Sequence, residues 1–312
     1  MDELLTLGRA IPMVIGKTSE IYGELLSKNN KENILATAHD RETHSYGSHP
    51  RQQLDLYEPS LSAGPGPRPL IIFLYGGGFI NGEKVLSRIP GGLVYTNLAY
   101  YFVEKHGFET IIPDYRLNGN GGQFPSGGED IAGVLEWVGK RYAGKQKKQI
   151  YLFGNSAGGV HTATWLLEGS FRSTREPLVT INGNVELAGI IIMGALMDFV
   201  GAPPPLASVL QDHYGKNYEE KSPLMLLKKV GSAKDLAEKW PRLLILNSEL
   251  DPPDIIQSTT DFLSGLRTHD LAVDHFVIQG HNHISPPLAL GTGIAREEEW
   301  GETLVAWCKE CR

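Results

Sequence analysis

The sequence predicts an α/β fold, a mostly parallel central sheet flanked by helices, with a helical cap. Two observations carry this. Unbroken apolar runs such as LIIFL (70–74) and GIIIM (189–193) suit strands buried on both faces. Helical patterns fall between several of these runs, the alternation that builds parallel sheets. The chain has 312 residues, of which 41% are hydrophobic, enough to bury one large core.

In chain order, residues 1–35 read as helical and precede the first strand. Strands are expected over 53–58, 70–75, 109–115, 149–154, 188–195, 242–248 and 274–280. Helices are expected over 90–106, 129–142, 157–168, 255–267 and 295–310. Asp130 follows a Gly-rich loop and reads as an acidic first turn. The stretch SAGPGPRP (62–69) connects two strands inside one domain, expected to span 1–312. Residues 198–240 break the alternation, and Pro203 to Pro205 bar that text from a central strand. Segments 1–35 and 198–240 are therefore the candidate cap elements.

The net charge is −7, with both signs spread along the chain, which argues against nucleic acid or an anionic membrane surface as main partner. No apolar stretch is long enough to span a bilayer, so no stable membrane insertion is expected. The first residues are acidic, and the apolar run is broken by Gly8, Arg9 and Pro12, unlike a signal peptide. No Asn-x-Ser/Thr acceptor occurs. A cytoplasmic protein is expected. Cys308 and Cys311 form a lone Cys-x-x-Cys pair, which reads as two thiols on a frayed C-terminal helix rather than a zinc site.

Ligand sites in such sheets lie beyond the carboxyl ends of the strands. There the sequence places its chemistry. Gly154-Asn155-Ser156-Ala157-Gly158 matches the G-x-S-x-G turn that holds a serine hydroxyl above a sheet, between the strand IYLF and the helix GVHTATWLL. A dinucleotide loop is excluded, because G-x-G-x-x-G needs glycine where Ser156 stands. A serine needs a base. Two acids, Asp251 and Asp254, follow the strand RLLILNS, and two histidines, His281 and His283, follow the strand DHFVIQG. Both pairs come in the Ser–acid–His order that goes with this turn. His281 and His283 could instead share a metal ion on one face of an extended segment, but no further ligand stands at a recognisable spacing. The glycines of LYGGGF (74–79) can offer backbone N–H groups to an oxyanion, and Ala157 can offer another.

Together YGGGF, DYRL (114–117), FPSGGEDIAGVLEWV (124–138), GNSAGG and DPPD resemble the hormone-sensitive-lipase-like branch of the α/β-hydrolases. SPLMLL (222–227) and IIQSTTDFLSGL (255–266) are similar to kynurenine formamidase and feruloyl-esterase-like relatives. The resemblance runs from about Leu54 to Ser285. It implies an α/β-hydrolase fold and a carboxylesterase-like serine hydrolase with no cofactor and no metal. Its pattern selects Asp251, first aspartate of the D-P-x-x-D run, and His283, three places after Gly280, as partners of Ser156. With these partners, Gly77, Gly78 and Ala157 are expected to hold the oxyanion.

The implied partner is a small-molecule ester, with a formamide or lactone as alternatives, and a homodimer is compatible with the sequence. An acyl-transferring enzyme would use the same residues, and a non-hydrolytic receptor could use the same fold. Two departures from the family pattern stand out: Tyr75 where histidine usually precedes the glycines, and Asn155 where aspartate often precedes the serine. His161 reads as a packing histidine, and Tyr115 and Arg116 as braces of the loop beyond their strand. Tyr22, Phe199, Tyr214 and Tyr218 are the candidate aromatic pocket wall.

Overall fold

The computed structural model describes residues 2–59, 68–179, 184–231 and 240–310. An eight-stranded sheet in the order β1-β2-β4-β3-β5-β6-β7-β8 forms the centre. Its strands are β1 Glu42–Ser45, β2 Gln53–Tyr57, β3 Leu70–Leu74, β4 Glu109–Pro113, β5 Lys148–Asn155, β6 Val185–Met193, β7 Arg242–Leu250 and β8 Asp274–Asn282. β1 and β2 pair antiparallel, and so do β2 and β4; every pairing from β4 to β8 is parallel. All five residues of β3 and of β4 are buried, as unbroken apolar runs require of strands covered on both faces.

The helices are α1 Ile11–Asn29, α2 Lys31–His39, α3 Thr96–Tyr100, α4 Ser126–Arg141, α5 Ala157–Leu167 and α6 Arg172–Val179. They continue with α7 Pro204–Tyr214, α8 Pro223–Lys229, α9 Pro253–Thr268, α10 Ser285–Ala289 and α11 Ala295–Glu310. The helix expected from residue 90 begins only at Thr96, because Pro90, Gly91 and Gly92 hold the chain in a loop, and a π-turn over Tyr101–Lys105 extends it. α4 begins at Ser126, so Asp130 lies beyond its first turn. Instead of facing solvent at the helix end, Asp130 is buried and accepts from Arg116 Nε at 2.9 Å and Gln52 Nε2 at 2.8 Å. Cys308 is buried on α11 rather than frayed, whereas Cys311 lies outside the described residues.

α1 packs against α10 and α2. Val14, Thr18, Tyr22 and Leu26, one face at helical spacing, are its buried side. Polar bonds fix it there: Asn29 Nδ2 donates to Thr292 O at 2.9 Å, and Tyr22 Oη donates to Glu297 Oε2 at 2.5 Å. No described helix is long and apolar enough to cross a membrane.

Candidate active site

Ser156 stands alone between β5 and α5 with φ 51° and ψ −120°. A non-glycine residue so placed stores of order 1–3 kcal/mol, which its surroundings must offset. They do so through Ser156 N–H to Met193 O at 2.8 Å and Val160 N–H to Ser156 O at 3.0 Å. The flanking glycines are sterically required. A Cβ on Gly158 would stand 2.3 Å from Leu74 O, and one on Gly154 would stand 2.4 Å from Thr162 Oγ1.

Beyond the end of β8, His283 points its Nε2 at Ser156 Oγ, 2.9 Å away. Its Nδ1 lies 2.8 Å from Asp251 Oδ1. The other oxygen, Asp251 Oδ2, accepts the Ser248 N–H at 2.8 Å and Asn247 Nδ2 at 3.4 Å. A fully buried carboxylate is thus held by a strand-end amide, an asparagine and the imidazole. The three residues selected by the resemblance are brought together, and their rivals are not. Asp254 is exposed in the first turn of α9. His281 turns to the opposite side, with Nδ1 2.8 Å from Ser285 Oγ and its ring stacked on Tyr22. Burial lowers its pKa to about 4, partly opposed by Glu297.

The loop 75–84 passes directly over the serine. Gly76 comes so near that a Cβ there would meet Ser156 Cβ at 2.9 Å. Gly77 turns the chain with φ 149°, and its carbonyl accepts the N–H groups of Ile80 and Asn81. Among the described residues, the N–H groups of Gly77, Gly78 and Ala157 donate to no protein acceptor, and Gly77 and Gly78 line the same cavity as Ser156. Tyr75 anchors this loop. Its Oη donates to Asp114 Oδ1 at 2.6 Å and accepts from Arg51 Nη2 at 2.8 Å. Tyr115 Oη donates to Tyr75 O at 2.9 Å and so braces the loop after β3, whereas Arg116 reaches across the loop beyond its own strand to Asp130. Burial raises the pKa of Asp114, although Tyr75, Arg51 and the Lys84 N–H all favour its charged form.

His161 is buried against the rings of Phe79, Tyr115 and His213, which fits its reading as a packing residue. Burial holds its pKa well below the usual histidine value.

A cavity of roughly 660 Å³ opens above Ser156. Ile11, Pro12 and Ile15 of α1 and Leu206 and Val209 of α7 form part of its wall, so residues of both candidate cap segments reach the site. The wall is aliphatic there rather than aromatic. Tyr22, Phe199 and Tyr214 are buried in the core and Tyr218 packs against it, none of them lining the cavity. The aromatic residue in the wall is Tyr95. The sequence reading also missed Arg9. Its Nη1 donates to the carbonyls of Glu249 at 2.7 Å and Asp251 at 3.0 Å. It missed Asn282 as well, whose side chain accepts the Ile284 and Ser285 N–H groups and donates to Thr18 Oγ1 at 2.8 Å.

Sheet order, elbow and strand-end residues together are those of an α/β-hydrolase. The BD-FAE family model matches residues 54–265, and the chain belongs to that family. A rice (Oryza sativa subsp. japonica) protein named as a probable isoprenylcysteine alpha-carbonyl methylesterase, ICMEL1, is 26% identical over 280 residues, covering 81% of this chain. The chain spans 60% of that relative's length. Among solved structures, a hyperthermophilic esterase from Pyrobaculum calidifontis superposes with a TM-score of 0.67 at 18% identity, covering 96% of this chain and 93% of that one. Inhibited esterase B from Lactobacillus rhamnosis gives 0.66 at 14% identity, covering 95% and 96%. Both likenesses speak to the fold.

Proposed function

We propose that this protein is a serine hydrolase that cleaves a carboxylic ester through an acyl-enzyme. The observation that carries the reading is the continuous hydrogen-bond chain Asp251–His283–Ser156, at 2.8 and 2.9 Å, ending at an elbow serine that opens into a cavity. Ser156 Oγ attacks the carbonyl while His283 Nε2 accepts its proton and then returns it to the leaving alcohol. Asp251 fixes the ring and stabilises its charged form. The unpaired N–H groups of Gly77, Gly78 and Ala157 receive the oxyanion. Water, activated by the same histidine, releases the acid. In this reading the described residues of segments 1–35 and 198–240 cap the site, and the aliphatic side chains they give the wall (Ile11, Ile15, Leu206 and Val209) favour an apolar part of the ester on that side. The name of the rice relative describes a methylesterase, which makes a methyl ester the first alcohol part to test.

Ser156→Ala should retain the fold and lose turnover by roughly 10⁴-fold or more. Asp251→Asn should cost about 10⁴-fold, whereas Asp254→Asn should stay within about twofold of the parent. A folded Ser156→Ala protein that kept most of its esterase activity would overturn the reading.

A further inference from the structure

Resting on that reading of Ser156, we infer that the ester carries a long aliphatic arm, which leaves the serine cavity past Ile15 and lies along the open face of α1. A second cavity, of roughly 790 Å³, adjoins the first, and Ile15 and Arg88 belong to the walls of both. The two spaces are thus neighbours that share these side chains in their walls.

The second cavity runs along α1 past Gly16, Ser19, Gly23 and Ser27. Steps of three and four residues place these on one helix face, distinct from the core-facing Val14, Thr18, Tyr22 and Leu26. Small residues keep that face low. A Cβ on Gly16 would meet nothing within 4 Å, so the groove is open there. The opposite side is the loop carrying Ile89 and Pro90, and Ile89 comes within 3.3 Å of where a Gly23 Cβ would stand. From Ile15 to Ser27 the helix rises about 18 Å. Glu20, Glu24 and Lys28 are exposed at the edge and Arg88 stands where the two walls are shared, so charged groups rim a groove whose surface between Gly16, Gly23, Ile89 and Pro90 carries no charge.

An alkyl arm matches that pattern, because apolar surface is removed from water while the rim stays hydrated. Each methylene fully buried would raise kcat/KM by roughly threefold to fourfold, and an open groove should give less.

The test compares vinyl acetate, vinyl laurate and dodecyl acetate below their micellar concentrations, for the parent protein and Gly16→Phe. Vinyl acetate reports the chemistry alone. Vinyl laurate carries the arm on the acyl side and dodecyl acetate on the alcohol side. The inference requires that the parent cleave at least one long ester with a kcat/KM ten or more times that for vinyl acetate. It also requires that Gly16→Phe lower that ratio at least tenfold. Ser19→Phe, one turn further along, replaces Gly16→Phe if the latter does not fold. A parent that cleaves vinyl acetate but gains nothing from either long arm overturns the groove and leaves the serine hydrolase standing. So does a ratio that the variant changes by less than twofold. A folded parent that cleaves none of the three overturns both.

Discussion

Arg9 Nη1 donates to the backbone carbonyl of Asp251 at 3.0 Å, across 242 residues of sequence. The same nitrogen reaches Glu249 O at 2.7 Å. The N-terminal segment therefore does more than line the cavity. It holds the turn that presents the acid, while Thr18 of α1 holds Asn282, the neighbour of His283.

Arg9→Ala removes two charge-assisted bonds at an exposed edge, worth roughly 1 kcal/mol together. If that loss falls on the acid turn, kcat drops about fivefold with little change in KM. Steady-state kinetics on a short ester separate the two constants. A rise in KM with unchanged kcat would instead place Arg9 in substrate binding.

Tyr75 replaces the histidine that usually precedes the glycines, and the structure gives the replacement a purpose: its hydroxyl joins Arg51 to Asp114 beneath the loop that carries Gly77 and Gly78. Tyr75→Phe leaves a partly buried carboxylate short of a donor, at a cost of about 1 kcal/mol. The urea midpoint should fall, and kcat should fall with it as the loop loosens. Unchanged stability would show that Arg51 and the Lys84 N–H satisfy Asp114 unaided.

Stability should decline on mild acidification. Burial pushes His213 down to about 4, with Lys221 adding to the shift and a bond involving Gly122 opposing it. Burial likewise brings His281 to about 4, against the pull of Glu297, and lowers His161 well below the usual value. An unfolded histidine titrates near 6.5. Between about 6.5 and 4 the unfolded chain binds more protons, so the contribution is complete above 6.5 and lost as the pH falls through that window. For His213 the loss approaches about 3 kcal/mol. Urea midpoints at three pH values in this range measure the slope, and His213→Phe should flatten it. An equal slope in that variant would contradict the assignment.

The parts of this molecule that could be read in its sequence are those with local signatures. Ser156, Asp251 and His283 each follow a strand, and the strand ends are where a parallel sheet gathers its side chains. β1 had no signature. Its sequence ETHS is polar because it forms an exposed edge, and only its antiparallel pairing with β2 defines it. Arg9 and Thr18 act through contacts more than 240 residues distant, which no periodicity records. The expected aromatic wall failed for a related reason. Residue size ranks Tyr22, Phe199 and Tyr214 as candidates, but their helices and loops turn them inward and offer Ile15, Leu206 and Val209 to the cavity instead.

In the proposed mechanism His283, not His281, is the base, and a fluorophosphonate probe tests this without knowledge of the substrate. Peptide mass spectrometry should find a single adduct, on Ser156, formed rapidly in the parent and in His281→Ala but lost in His283→Ala. A folded parent protein without an adduct on Ser156, or labelling that survives in His283→Ala and disappears in His281→Ala, would contradict it.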